Sequence, residues 1–315
     1  MKMLVTGGAG FIGSHLCERL LTEGHTVWAL DNFDPYYAIS LKEENITRLK
    51  KHPSFHLVRG DIRDNGIFED LWRTFTPDRV VHLAACAGVR PSIAKPAMYN
   101  DVNVTATIRL FEMAQQQGTP VVFASSSSVY GDSNRLPYKE KDALGDPLSP
   151  YAATKRAGEL MASTYHHLYK IPIICLRFFT VYGPRQRPDM AIHKFANALL
   201  TSQPITLFGD GTTARDYTYV DDIVNGILSA VDHAPQLGYG IFNLGSARPV
   251  QLLELVRLLE KIIGKSAIIH WRELQPGDVE ITTADISLAQ EMLGYSPKTS
   301  IENGLKHMVE WLMSY

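Results

Sequence analysis

The sequence predicts an α/β fold built on a doubly wound parallel sheet, and three observations carry the prediction. Short β-branched runs recur at helix-sized intervals, they are apolar nearly throughout, and the first passes through a glycine-rich turn into a helix. The runs fall at 3–6, 26–30, 55–59, 80–84, 121–125 and 173–176. Strands apolar on both sides need helices on both faces of their sheet. A further run at 241–244 follows an amphipathic stretch at about 220–233, so one more strand is expected to join late. The Rossmann-like domain is therefore expected to be discontinuous, formed by 1–179 and 216–244. Segments 180–215 and 245–315, richer in Pro, Gly and isolated charges, are assigned to a smaller, C-terminal substrate domain.

Composition narrows the class. A chain of 315 residues with 45% hydrophobic and 20% charged side chains buries a sizeable core. The net charge of −2 lacks the basic excess of a duplex-binding protein, so no nucleic-acid partner is expected. Cys17, Cys86 and Cys175 lie far apart with no Cys-x-x-Cys pair, which argues against a disulfide framework and suits a reducing, cytoplasmic location. No apolar run reaches about 18 residues, and Met1 to Val5 runs directly into the glycine turn, so neither a membrane span nor a signal peptide is expected. The histidines show no His-Glu-x-x-His spacing, and neighbouring His166 and His167 point to different helix faces. No metal site is expected.

The glycine turn reads Thr6-Gly7-Gly8-Ala9-Gly10-Phe11-Ile12-Gly13, followed by helical 14–22. Glycines there permit a tight turn and let backbone N–H groups approach a pyrophosphate on the positive end of the helix. A plain βα turn would use the same residues. The context that favours a dinucleotide is Asp31, which ends the second strand about twenty residues on and suits a ribose hydroxyl pair. Asn32 and Phe33 follow instead of an arginine, and the Asp31 carboxylate would repel a 2′-phosphate, so NAD is expected and not NADP. Asp61, in Gly60-Asp61-Ile62 at the end of the third strand, either accepts from the adenine amino group or belongs to a simple turn.

A second constellation is Tyr151-Ala152-Ala153-Thr154-Lys155, preceded by Ser149-Pro150. Serine at the N-cap and proline at the first helical position start a helix, so Tyr151 and Lys155 lie one turn apart on one face. A phenol beside an ammonium loses its proton more easily and becomes a usable general base. An aromatic packing residue beside a solvated lysine is the plainer alternative. Ser125 to Ser128 favour the former, because they end a buried parallel strand where ligands bind in this architecture. A serine-rich turn has the same composition.

Taken together, the glycine turn, the serine strand and the Tyr-x-x-x-Lys helix resemble the extended short-chain dehydrogenases/reductases. The similarity runs through Arg177-Phe178-Phe179-Thr180-Val181-Tyr182-Gly183-Pro184, Gly209-Asp210-Gly211 with Arg215-Asp216-Tyr217, and Asp285-Ile286-Ser287 up to Leu293-Gly294-Tyr295. The resemblance is to the nucleotide-sugar epimerases among them, and most to UDP-glucuronate 4-epimerases, through 85–90, 177–180 and 187–191. Cys86 stands where those epimerases usually carry glutamine.

The resemblance implies an NAD site of Gly7, Gly10, Phe11, Ile12, Gly13, Asp31, Asn32, Asp61, Ile62, Leu83, Ala84 and Ala85, completed by Tyr151 and Lys155. It makes Tyr151 the base, Ser126 the holder of the reacting oxygen, and Lys155 the residue that binds the nicotinamide ribose and tunes Tyr151. Arg215 would clamp the UDP diphosphate, a task suited to an arginine fork, with Gln275 and Asp278 near the ribose. Arg90, Arg187, Ser127, Ser128 and Thr180 complete the implied substrate set. Sister 4,6-dehydratases resemble a Thr-Asp-Glu version of Ser126-Ser127-Ser128, and decarboxylases a Thr-Ser-Glu version. Both later positions are serine here, so the carboxyl group those reactions use is missing. UDP-galactose epimerases resemble an asparagine version of Thr180. Stretches 98–116 and 152–169 are apolar on more than one face, compatible with the homodimers of this family.

Overall fold

The computed structural model describes residues 1–273 and 279–314. Seven parallel strands form the central sheet: β1 (Lys2–Thr6), β2 (Thr26–Asp31), β3 (Phe55–Arg59), β4 (Arg79–His82), β5 (Val121–Ser126), β6 (Ile173–Phe178) and β10 (Tyr239–Leu244). Their spatial order is β10-β6-β5-β4-β1-β2-β3. The order reverses direction between β1 and β4, where a crevice opens beyond the carboxyl ends of the strands. Alternate side chains feed two cores, as the period of a strand requires. Met3, Val5, Val27, Ala29, Val81, Val122 and Ile174 pack on one face, and Leu4, Leu30, Val80, Val121, Phe123 and Cys175 on the other.

Two smaller sheets lie outside the strand runs read from the sequence. β7 (Thr180–Tyr182), β9 (Ala214–Tyr219) and β11 (Pro249–Gln251) form one, in the order β11-β9-β7, and β8 (Ile205–Phe208) pairs in parallel with β12 (Ile269–Arg272) to form the other. These strands have three to six residues each, too few to show a period against the prolines and glycines between them.

The helix Pro150–Tyr169 begins as its cap residues predict, with Ser149 Oγ accepting from the Ala152 amide at 3.2 Å. Its close seat on β5 depends on Gly158, where an added Cβ would lie 2.5 Å from the Phe123 ring. The stretch expected to be one helix over 98–116 is instead Pro96–Asn100, a π-helical turn Asp101–Thr105, and Ala106–Gln117. The wider turn carries Asn103, whose amide Nδ2 donates to the Cys86 carbonyl and to Thr154 Oγ1 while its Oδ1 accepts from the Cys86 N–H.

Candidate active site

The glycine turn is built as a cradle. Gly7 has φ +72°, and an added Cβ would lie 2.9 Å from the Ala84 amide nitrogen. At Gly13 it would lie 2.1 Å from the Gly7 carbonyl oxygen. Gly10 caps the helix Phe11–Thr22 and, among the described residues, no side chain accepts from the amides of Phe11, Ile12 and Gly13, which leaves them for an anion. Below the turn, Thr6 Oγ1 donates to His82 Nδ1 at 2.7 Å, and His82 Nε2 donates to Thr107 Oγ1 at 3.0 Å. These roles follow from Thr107 Oγ1, which gives its own proton to the Asn103 carbonyl. Thr6 Oγ1 also accepts from the Ala84 amide, and the Leu83 amide donates to the Thr6 carbonyl, so 83–84 lies against the turn. Complete burial lowers His82 to about 3, which keeps it neutral.

At the end of β2, the Asp31 carboxylate accepts from the amides of Ala9 at 3.0 Å and Phe33 at 2.8 Å. Lys42, a residue the sequence reading does not bring here, sits 3.7 Å away. Asn32 donates to Asp61 at 2.7 Å, and Arg63 grips both Asp61 oxygens at 3.0 and 2.8 Å. Arg63 holds Asp61 down to about 2. Asp61 is thus anchored within the protein, and Ile62 is buried. The glycine cradle, the open helix terminus and the Asp31 carboxylate fit a dinucleotide.

The Ser126 and Tyr151 side chains come together where β5 ends. Ser126 Oγ donates to Ser128 Oγ and accepts from the Ser128 amide, both at 3.2 Å. Burial raises the Tyr151 pKa, while the neighbouring Ser126 hydroxyl and the charge of Arg187 oppose the rise. Lys155 Nζ donates to the Ala124 carbonyl at 2.7 Å and lies 5.1 Å from the centre of the Phe123 ring. Burial lowers Lys155 to about 8.

Beyond this group lies a cavity of about 600 Å³ lined by Arg90, Thr180, Asp189, Phe208, Arg215 and Tyr217, among others. Thr180 and Tyr217 face each other across β7 and β9. Arg215 Nη1 donates to the carbonyls of Ala214 at 2.9 Å and Glu280 at 3.2 Å, which aims the guanidinium along the cavity edge. The Arg90 guanidinium stands 5.2 Å from the centre of the Phe208 ring. Arg187 forms a bidentate pair with Asp189, two bonds of 2.9 Å, and Tyr36 donates to Asp189 at 3.2 Å. Gln275 and Asp278 lie outside the described residues.

Sequence reasoning missed Asn103, His82, Lys42 and Asp189. Asn103 alone left a sign, a polar residue between Val102 and Val104 in an apolar stretch. The three cysteines are free thiols. Among the described residues no group of three His, Cys, Asp or Glu could hold a metal, and no helix is long and apolar enough to cross a membrane.

Residues 3–245 match the model of the NAD dependent epimerase/dehydratase family. A UDP-glucuronate 4-epimerase of Thermodesulfobacterium geofontis (strain OPF15) is 43% identical over 98% of this chain and 95% of its own length. UDP-glucuronate 4-epimerase 4 of Arabidopsis thaliana is 43% identical over 100% of this chain and 76% of its own. Among solved structures, the UDP-glucuronic acid 4-epimerase of Bacillus cereus, in complex with UDP-glucuronic acid and NAD, superposes with a TM-score of 0.93. It is 40% identical, over 100% of this chain and 99% of that one. The UDP-glucose 4-epimerase of Thermotoga maritima, holding UDP-glucose, gives a TM-score of 0.90 at 32% identity over 100% of this chain and 99% of its own.

Proposed function

We propose, since this chain belongs to the NAD dependent epimerase/dehydratase family, that it interconverts UDP-glucuronate and UDP-galacturonate by inverting C4 of the sugar. The observation that carries the reading is the juxtaposition of the Tyr151 and Ser126 hydroxyls at the end of β5, with neutral Ser127 and Ser128 beside them and Thr180 on the cavity wall. NAD, held by the cradle of Gly7, Gly10 and Gly13 and by Asp31, would supply the hydride acceptor and donor for oxidation and re-reduction at C4. Tyr151 takes the O4 proton as base and returns it as acid. Ser126 orients O4 by a hydrogen bond. Lys155, fixed on the Ala124 carbonyl, would bind the nicotinamide ribose, while Arg215 and Arg90 on the cavity wall would hold the diphosphate.

A C4 ketone beside a C5 carboxylate makes a β-keto acid, which loses CO₂ when the bond to the carboxylate stands perpendicular to the carbonyl plane. Ser127, Ser128 and Thr180 hold the carboxylate out of that alignment with neutral hydroxyl donors. No carboxyl group follows Ser126 in the turn 127–130 to drive elimination or decarboxylation. The proposed assembly is a cytoplasmic homodimer. Leu160, Leu168 and Tyr169 are 64%, 60% and 50% exposed on the helix Pro150–Tyr169, an apolar area that a second copy would cover. The proposed division of the chain keeps 1–179 and 216–244 as the cofactor unit, and 180–215 and 245–315 as the nucleotide-sugar unit.

Incubating the protein with UDP-glucuronate and following the products by NMR tests the reading. UDP-galacturonate should accumulate without CO₂, and turnover should exceed that of UDP-glucose by about ten- to a hundred-fold, because the hydroxyl donors stay unpaired beside a neutral sugar. Equal efficiency toward both sugars would overturn the uronate assignment.

A further inference from the structure

Beneath the serine turn lies a charged pair that touches neither the cavity nor the glycine cradle. Glu159 and Arg177 are only 4% and 2% exposed. Arg177 Nε and Nη2 donate to Glu159 Oε1 at 2.9 Å and Oε2 at 2.8 Å, a bidentate fork, and Ser125 Oγ donates to Oε1 at 2.5 Å. The guanidinium stands 4.8 Å from the centre of the Tyr130 ring, and its Nη1 has no hydrogen-bond partner among the described residues. Burying two charges roughly cancels their attraction, and apolar side chains of the same volume commonly stabilise as well. Stability alone gives such a pair no advantage.

Its placement gives it another use. Ser125 immediately precedes Ser126 on β5, Arg177 faces Ser125 across β5 and β6, and three residues later β7 begins at Thr180. Glu159 lies one turn beyond Lys155 and two beyond Tyr151 on the same helix face. The pair therefore ties together every segment that carries the proton-transfer group. We propose that Glu159 and Arg177 are positioning residues, which hold the Tyr151 helix in register with Ser126 and Thr180, and that the Glu159 carboxylate keeps Lys155 charged. The proposal rests on the reading of Tyr151, Ser126 and Lys155 as the reacting set.

The surroundings of Lys155 support the second half. The groups facing it are Cys86, Cys175 on β6, His82 on β4 and Glu159 on its own helix. Burial pushes both thiols up and His82 down, so all three are neutral near pH 7. Glu159, paired with Arg177, supplies the negative charge that offsets the burial of Lys155.

The test compares the parent, Arg177→Lys and the double variant Glu159→Gln/Arg177→Met in thermal melting, in kcat and KM for UDP-glucuronate, and in the pH profile of kcat. The double variant removes both charges and should melt near the parent temperature. It should nevertheless turn over about ten-fold or more slowly with a nearly unchanged KM, since a misplaced reacting group costs rate more than binding. The alkaline limb of its kcat profile should begin at least about half a pH unit lower, because Lys155 loses the charge that holds its proton. Arg177→Lys keeps the charge balance without the fork, so it should lower kcat and leave the alkaline limb in place. Parent-like kcat and pH limb in both variants would overturn the proposal and leave the pair a packing element. Tyr151→Phe in the same assay separates this from failure of the underlying reading: if that variant is as active as the parent, the reacting set is wrong and the proposal falls with it.

Discussion

At the residue scale, the Tyr151 phenol is raised by burial and lowered by the Ser126 hydroxyl and by Arg187, so the proposed base is set by residues far from it in sequence. Replacing Tyr151 with Phe removes the proposed proton acceptor and keeps the ring against Tyr99, centroids 6.3 Å apart. Turnover should fall about 10²- to 10⁴-fold while UDP-sugar binding, measured calorimetrically, stays near that of the parent. Arg187 acts on Tyr151 with its charge partly balanced by Asp189. Asp189→Asn should therefore strengthen its pull on the phenol and move the acid limb of kcat to lower pH. An acid limb that moves upward would show that Asp189 instead holds Arg187 in reach of Tyr151.

At the element scale, the helix Pro150–Tyr169 is placed by a local cap and by a close contact. Ser149→Ala removes the acceptor for the Ala152 amide and should cost about 1 kcal/mol in chemical unfolding. Gly158→Ala puts a methyl group into the Phe123 ring and should cost about 1 to 3 kcal/mol. It should also lower kcat, because the shift that relieves the clash moves Tyr151 and Lys155 away from Ser126. The cap is legible in the sequence as Ser149-Pro150, since it involves neighbours along the chain. The contact is not, because Phe123 and Gly158 meet only after β5 and this helix pack.

At the scale of the whole molecule, two histidines, the largely covered His15 and the buried His82, link folding to pH. His15 Nε2 donates to the Pro184 carbonyl at 2.9 Å, joining the cofactor-side helix to the segment before Arg187, and its pKa is lowered to about 4, chiefly by burial. His82 under the glycine turn is lowered to about 3. Both take up protons near 6.5 when unfolded, so the stability they contribute is present above that pH and is lost as pH falls from about 6.5 toward 4 and 3. Each withdraws up to about 1.4 kcal/mol per pH unit in that window, which denaturant titrations at pH 7, 5.5 and 4.5 would measure. NAD ties the molecule together in a second way: an epimerase must keep its cofactor until the hydride returns, so denaturing the purified protein should release NAD(H). Release of NADP(H) alone would overturn the reading of Asp31.

The sequence by itself determined the seven-strand parallel sheet, the glycine turn and the capped Tyr-x-x-x-Lys helix, because each depends on a pattern among near neighbours in the chain: a short continuous apolar run, a helical turn, or a cap. The family likeness carried by these motifs named the chemistry as well. Tertiary structure alone decided that Lys155 bonds the Ala124 carbonyl, that Arg187 faces Tyr151, that Lys42 approaches Asp31, and that Glu159 meets Arg177. Each of these contacts joins residues 11 to 36 positions apart. A charged side chain chooses its partner only when burial strips away water and leaves it a few fixed groups, and that choice is made by the packing of strands and helices.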